Sequence, residues 1–115
     1  MYQYKAKLIR VVDGDTIDAS VDVGFGITVT QRFRIDDFDA PEIYKPSCEA
    51  EKIHGLKATK RTEILLSNND FIIESSKVPG IYGRYGAKIT FKDGRSFSDI
   101  MIAEGLQKRE DYSNE

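Results

Sequence analysis

"DGDTIDASVDVGFGITVTQRFRI", residues 13–35, carries the clearest structural signal in the chain. From Ile17 to Val23, the residues Ile17, Ala19, Val21 and Val23 alternate with Asp18, Ser20 and Asp22. A period of two gives one apolar and one polar face, which predicts a half-buried strand. Gly24 and Gly26 predict a turn, and a second alternation follows. In it Ile27, Val29, Phe33 and Ile35 share the apolar parity, while Thr28, Thr30, Arg32 and Arg34 share the other. The two arginines therefore point the same way. Asp15 falls on the apolar parity where the first of these strands begins. An unpaired carboxylate is costly to bury, so Asp15 is expected to be exposed, paired or bound to a cation.

Upstream of the "DGD" turn, Tyr4 to Val12 reads as a further strand. Downstream, Pro41 ends the alternation and biases Ala40 towards extended backbone. Ser47 is read as a helix N-cap, with Glu49 and Glu51 in the first turn of a helix running to about Leu66. Its expected buried stripe is Ala50, Ile53, Leu56, Ile64 and Leu65, and Gly55 weakens its middle. "FIIE" (71–74) and "AKITF" (87–91) are short strands, and Asp93-Gly94 turns the chain towards "RSF" (95–97). Ser98 is expected to cap a last short helix, "DIMIAE" (99–104), that Gly105 stops. Three strands, a helix, two or three strands and a short helix argue for an α+β fold. A small five-stranded barrel of the oligonucleotide-binding (OB) type is one fit, though periodicity alone does not select it.

The chain has 115 residues, 40% apolar and 31% charged, so a single compact domain over residues 1–115 with a modest core is expected. The formal net charge of −2 argues against a protein that coats nucleic acid by bulk charge, and leaves room for a local cationic site. One cysteine, Cys48, allows no intrachain disulfide, and with no basic neighbour it reads as structural or incidental. No apolar run approaches the length of a membrane helix, so no membrane partner is expected. "MYQYKAKLIR" has no signal-peptide core. A cytoplasmic location is expected, or a secreted one if a leader has been removed.

"DDFDAPE", residues 36–42, packs four carboxylates into seven positions beside Arg32 and Arg34. A solvated acidic turn is the ordinary explanation. With one cysteine and one histidine, a thiolate–imidazole zinc site lacks ligands, and His54 reads as an ordinary side chain. Oxygen ligands are abundant. Asp13, Asp15, Asp39 and Glu42 sit at turns or strand ends, and Ca²⁺ or Mg²⁺ takes such ligands. A guanidinium grips a phosphate with two parallel hydrogen bonds. Phosphodiester cleavage needs an activated water, neutralised charge on five-coordinate phosphorus, and positioning. Asp15 and Asp39 suit the cation, Glu42 the water, and Arg34 with a second arginine the nonbridging oxygens. "IYGRYG", residues 81–86, offers Arg84, with Gly83 and Gly86 for close approach and Tyr82 and Tyr85 for hydroxyls and stacking faces. A surface turn with its usual glycines is the alternative there.

"VVDGDT" (11–16), "FRIDDFDAPE" (33–42) and "YGR" (82–84), in this order, resemble the staphylococcal nuclease family, as does "MIAEGLQ" (101–107). The resemblance covers nearly the whole chain. It implies a five-stranded OB barrel with an inserted helix and a short C-terminal helix; a monomer is expected. It implies Ca²⁺-dependent endonuclease hydrolysis of DNA and RNA with little sequence specificity, leaving 3′-phosphate and 5′-hydroxyl ends. By the same resemblance Asp15, Asp39 and the Ala40 backbone carbonyl would ligate Ca²⁺, with Asp13 behind them. Glu42 would be the base or water-orienting group, Arg34 and Arg84 would bind phosphate and stabilise the transition state, and Tyr82 would touch a substrate phosphate. The chain departs from the family in its weak negative charge and in Ile81, which stands where the type member has a phosphate-binding lysine. It also departs in a short segment after Gly105, where Tyr112 is a candidate for base stacking. The rival reading is the same barrel holding single strands without cutting them, and a third is an interaction domain with no ligand.

Overall fold

The computed structural model describes residues 2–67, 69–79 and 85–112. Its elements are β1 (Tyr2–Asp13), β2 (Thr16–Gly24), β3 (Ile27–Ile35), α1 (Glu49–Ser67), β4 (Phe71–Pro79), β5 (Tyr85–Phe91) and α2 (Phe97–Ala103). The strands close into a barrel in the order β1-β2-β3-β5-β4. Every pairing is antiparallel except β3 with β5, which is parallel. This is the α+β barrel of OB type that the sequence and the resemblance predict. Closure matters because it removes the unpaired edges on which sheets aggregate.

The inward parity of β2 and β3 fills the barrel as expected. Ile17, Ala19, Val21, Phe33 and Ile35 meet Ala6, Phe71, Ile73, Ala87 and Ile89 in one buried cluster. Each large side chain there contributes about 1.5–3 kcal/mol through lost apolar exposure. Val23 on β2 and Ile27 and Val29 on β3, which share the inward parity of their strands, are instead exposed. The β2–β3 ribbon runs on to the pair Gly24↔Ile27, while β1 stops pairing with β2 at Ala6↔Val21. The ribbon tip therefore has no strand opposite its apolar side.

The helix stripe also differs from expectation. Ile53, Leu56 and Ile64 are exposed, and Ala50 is only half-buried. The buried residues are Glu51, Gly55, Ala58, Thr62, Leu65 and Leu66. Their spacing of three and four is helical, but most are small or polar. α1 lies so close to the neighbouring loops that a Cβ on Gly55 would sit 2.6 Å from Ile43 Cγ2 and 2.7 Å from the Pro41 carbonyl oxygen. Gly55 is a contact the packing requires, and large side chains are left for the outer face.

Two cap assignments shift. α1 begins at Glu49, and the Cys48 carbonyl accepts the Lys52 N–H at 3.2 Å, so Cys48 and not Ser47 takes the cap position. α2 begins at Phe97 and is capped by Ser96, whose side chain accepts the Asp99 N–H. Ser98 lies inside that helix, buried. The Asp93-Gly94 turn forms as read, with Gly94 at φ 88°, but "RSF" contributes only the single bridge Thr90↔Ser96. Among the described residues, no helix is long and apolar enough to cross a membrane.

Candidate active site

The four carboxylates of Asp36–Glu42 do not form one cluster. Asp36 lies over the β3–β5 seam, where a Cβ on Gly86 would collide with its carboxylate. Asp37 accepts a short hydrogen bond from Ser98 Oγ. Asp39 turns to Arg34, and Glu42 is exposed. Between them Phe38 inserts into the core, edge-on to Phe97 with ring centres 6.1 Å apart. One buried ring thus anchors the loop while the acids fan out to separate partners.

Arg34 organises the loop. Its Nη1 donates to the carbonyls of Ile35 and Phe38, the latter at 2.9 Å. Its Nη2 contacts the Asp39 carboxylate and lies 3.3 Å from Asp15 Oδ2. A planar fork with several donors can serve two carbonyls and two carboxylates at once, which a lysine cannot. Asp15 and Asp39, 24 positions apart in sequence, therefore meet on a single guanidinium nitrogen.

Asp15 is 9% exposed. Its Oδ2 also accepts the Ala40 N–H at 2.9 Å, and its own N–H donates to Asp13 Oδ1 at 3.1 Å. Burial, first, and then the neighbouring Asp13 carboxyl push Asp15 up to about 7, against the Ala40 N–H and Arg34, which pull it down. The sequence expectation that this carboxylate is exposed, paired or cation-bound resolves as buried and paired. A group held this far from its ordinary state, among acids and an arginine, is a functional-site candidate on physical grounds.

Helix α1 seats both loops. Thr62 Oγ1 donates to the Gly14 carbonyl at 3.0 Å, and a Cβ on Gly14 would sit 2.7 Å from Ala40 Cβ and 3.0 Å from Ala58 Cβ. The "DGD" turn is thus pinned by Ala58 and Thr62, and the loop at 41–43 by Gly55. Glu51, 1% exposed, completes the arrangement. Its Oε1 accepts the Ser47 N–H at 2.7 Å, its Oε2 accepts the Glu42 N–H at 3.2 Å, and Lys108 Nζ lies 3.4 Å from Oε2. The sequence places Glu51 in the first turn of the helix, as the structure does, but does not show that it is buried. The stripe Gly55, Ala58, Thr62, spaced by three and four, was the available signal for close packing.

The segment after Gly105 holds the other side. The Lys108 N–H donates to the Asp39 carbonyl at 2.8 Å, and Gln107 Oε1 accepts the Asp39 N–H at 3.3 Å. Tyr112, the sequence candidate for base stacking, is buried. Its hydroxyl lies 2.8 Å from His54 Nδ1 and accepts the Arg109 N–H at 3.1 Å, with the Arg109 guanidinium over its ring. Because His54 Nε2 donates to the Gly105 carbonyl at 2.8 Å, Nδ1 accepts from the tyrosine in the neutral ring. Tyr112 and His54 latch this segment to α1, so neither face of Tyr112 is left for a base.

Residues 32–115 match the protein-family model described as staphylococcal nuclease homologue. The chain belongs to that family. Comparison with curated proteins finds no match. The matched span holds Arg34, Asp39 and Glu42 and begins after Asp13 and Asp15, which join the nuclease-family segment in space through Arg34 and Ala40. Tyr82 and Arg84 lie outside the described residues. Among the described residues, no three Asp, Glu, His or Cys side chains form a group that could hold a metal ion. The donors present nevertheless fit a hard cation in kind. Two carboxylates already share one positive group, and Ca²⁺ accepts carbonyls and waters for the rest of its shell.

Proposed function

We propose that this nuclease-family chain is a Ca²⁺-dependent phosphodiesterase that cuts DNA and RNA with little sequence preference. The observation that supports it is the meeting of Asp15 and Asp39 on one nitrogen of Arg34. That nitrogen marks where positive charge is wanted between two oxygen donors. Asp15, Asp39 and the Ala40 carbonyl would hold the cation, with Asp13 orienting Asp15. When bound, the cation supplies charge neutralisation at phosphorus and lowers the barrier to water attack.

The chain's own groups supply the rest. With both carboxylates engaged elsewhere, Arg34 Nη2 is released to a nonbridging phosphate oxygen, while Nη1 keeps the loop carbonyls. Arg34 then stabilises the five-coordinate phosphorus, and Arg84 is assigned the same task from the "YGR" segment, where Tyr82 touches a neighbouring phosphate. Glu42 orients a water and takes its proton as oxygen bonds to phosphorus. The bond from phosphorus to the 5′-oxygen breaks, that oxygen takes a proton, and the phosphate stays on the 3′-oxygen.

The test is cleavage of single-stranded DNA by wild type and Asp15→Ala, each with Ca²⁺, with Mg²⁺ and with chelator. Cutting that needs Ca²⁺, leaves 3′-phosphate ends and disappears in the variant is the expected result. Cutting that survives chelator or the Asp15→Ala change overturns the reading.

A further inference from the structure

Tyr44 lies two residues beyond Glu42 and is 68% exposed. Its hydroxyl nevertheless donates to the Val12 carbonyl at 3.0 Å, beside the "DGD" turn. The residue before it, Ile43, packs against α1 at Gly55. The ring is therefore held at both ends and left in water. An aromatic side chain ordinarily buries its body and exposes its polar tip. Tyr44 does the reverse.

Two arginines stand on the strands near its tether. Arg32 lies on the same outer face of β3 as Arg34, one two-residue step or about 7 Å away. Arg32 forks onto Asp18 at 2.8 and 3.1 Å, and Arg10 reaches the same carboxylate at 3.6 Å. Two guanidinium groups share one acid, so the row keeps a net positive charge. The carbonyl that holds Tyr44 belongs to Val12, two residues beyond Arg10 on β1, and β1 pairs Arg10 with Asp18. The exposed ring thus stands by the strand that carries Arg10, Arg10 meets Arg32 across Asp18, and Arg32 adjoins Arg34 on β3.

We propose that Tyr44 is the stacking platform for the base next to the scissile phosphate, and that Arg32 and Arg10 receive the following phosphate of the same strand. The inference rests on the nuclease reading and narrows its substrate. A base must leave its duplex partner to lie flat on a side chain, so the occupant is a single strand. Every base has a π-face, so the platform is indifferent to sequence. The hydroxyl tether fixes the ring's tilt, and the ring supplies the contact.

The experiment measures binding of fluorescent oligothymidylate, and of the same strand carrying abasic sites, in chelator. Wild type, Tyr44→Ala and Tyr44→Phe are compared after thermal melts establish that each is folded. Tyr44→Ala is expected to weaken the oligothymidylate complex about tenfold or more, while Tyr44→Phe stays within about twofold. The abasic strand is expected to bind wild type and Tyr44→Ala alike. Equal binding of oligothymidylate by wild type and Tyr44→Ala overturns the platform, as does equal weakening on both strands or no binding by wild type. Arg32→Ala should lower the slope of log affinity against log salt by about 0.7, and an unchanged slope overturns the phosphate contact. A parallel assay with Ca²⁺ separates the two readings. Tyr44-dependent binding without cutting supports the platform and overturns the nuclease, whereas cutting with Tyr44-independent binding does the opposite.

Discussion

The buried carboxylate of Glu51 accepts the backbone N–H of Glu42 at 3.2 Å, reaching back nine residues from the first turn of α1. Its other oxygen takes the Ser47 N–H. One side chain thereby fixes both the residue assigned to activate water and the entry to the helix. Glu51→Gln keeps the shape but turns an amide N–H₂ towards one of these donors and discards the Lys108 ion pair. A loss of about 1–3 kcal/mol is expected, the cost of leaving a buried polar group unsatisfied. In steady-state kinetics kcat should fall while KM holds. Unchanged kcat would show that Glu42 does not work from this position.

Glu51 also sets an acid limit. The Ser47 N–H first, and then the Glu42 N–H and Lys108, hold its pKa down at about 2 against the opposing effect of burial. The folded value lies below the unfolded value of 4.5, so the charged form stabilises the fold above pH 4.5. That contribution declines as pH falls from about 4.5 and is gone below about 2. Its size is on the order of 3 kcal/mol. Denaturant titrations between pH 6 and pH 2, a range of about 4 units set by these values, should show a steeper loss in wild type than in Glu51→Gln. Parallel curves would refute the assignment.

Asp15 has the opposite sign. Its folded value is raised, so its charge disfavours the folded state as pH rises from its ordinary range through about 7. Asp15→Asn removes that charge and keeps an oxygen for the Ala40 N–H. At pH 8, about one unit above the raised value, the variant should melt higher than wild type in chelator. With Ca²⁺ the order should reverse, because only wild type gains from binding to the folded state. A variant that still gains from Ca²⁺ would move the cation elsewhere.

Arg34→Lys keeps a positive charge and loses the fork that spans two carbonyls and two carboxylates. If Arg34 stabilises the transition state, kcat should drop by about 100-fold with Ca²⁺ affinity retained. Single-turnover cleavage beside calorimetric Ca²⁺ titration separates the two effects. Full turnover in the variant would reduce Arg34 to a loop organiser.

Gly55→Ala tests the seat of the loop on α1. Alanine gains about 1 kcal/mol in helix propensity. Its Cβ would meet Ile43 Cγ2 at 2.6 Å and backbone oxygens of Pro41 and Glu42 at 2.7 and 3.2 Å. Backbone cannot swing aside as a side chain can, so the overpacking cost of about 1–3 kcal/mol should win. Chemical denaturation measures the difference, and a stabilised variant would show that the loop yields freely.

The parts of this structure that were legible in sequence are those where one face sees the core and the other sees water. β2 and the inner half of β3 belong to that class, as do the glycine turn and the Asp93-Gly94 reversal. That Asp15, Asp39 and Arg34 belong to one site was an implication of the family resemblance, and the structure adds that both carboxylates meet Arg34. The helix face was not legible, because Ile53, Leu56 and Ile64 are larger and more apolar than the Gly55, Ala58 and Thr62 that touch the barrel. Distance of approach, not hydrophobicity, chose the buried side. Ile27 and Val29 follow the strand's parity, but a ribbon that outlasts its neighbouring strand has no core to enter. Tyr112 looked like an available ring until His54 and Arg109 were placed around it. Contacts between segments more than fifty residues apart leave no local periodicity to read.

β5 lies parallel against β3 with Gly86 opposite Arg34, and its first residues complete the seam beneath the site. Gln107 and Lys108 then clasp the backbone of Asp39. Asp15, Arg34, Asp39 and Glu42 therefore depend in part on segments that lie more than forty residues beyond them in sequence. Contacts this distant in sequence form late in folding as well as late in synthesis. The site is thus positioned only once β5 and the segment after Gly105 have docked, however early its acids and Arg34 are made.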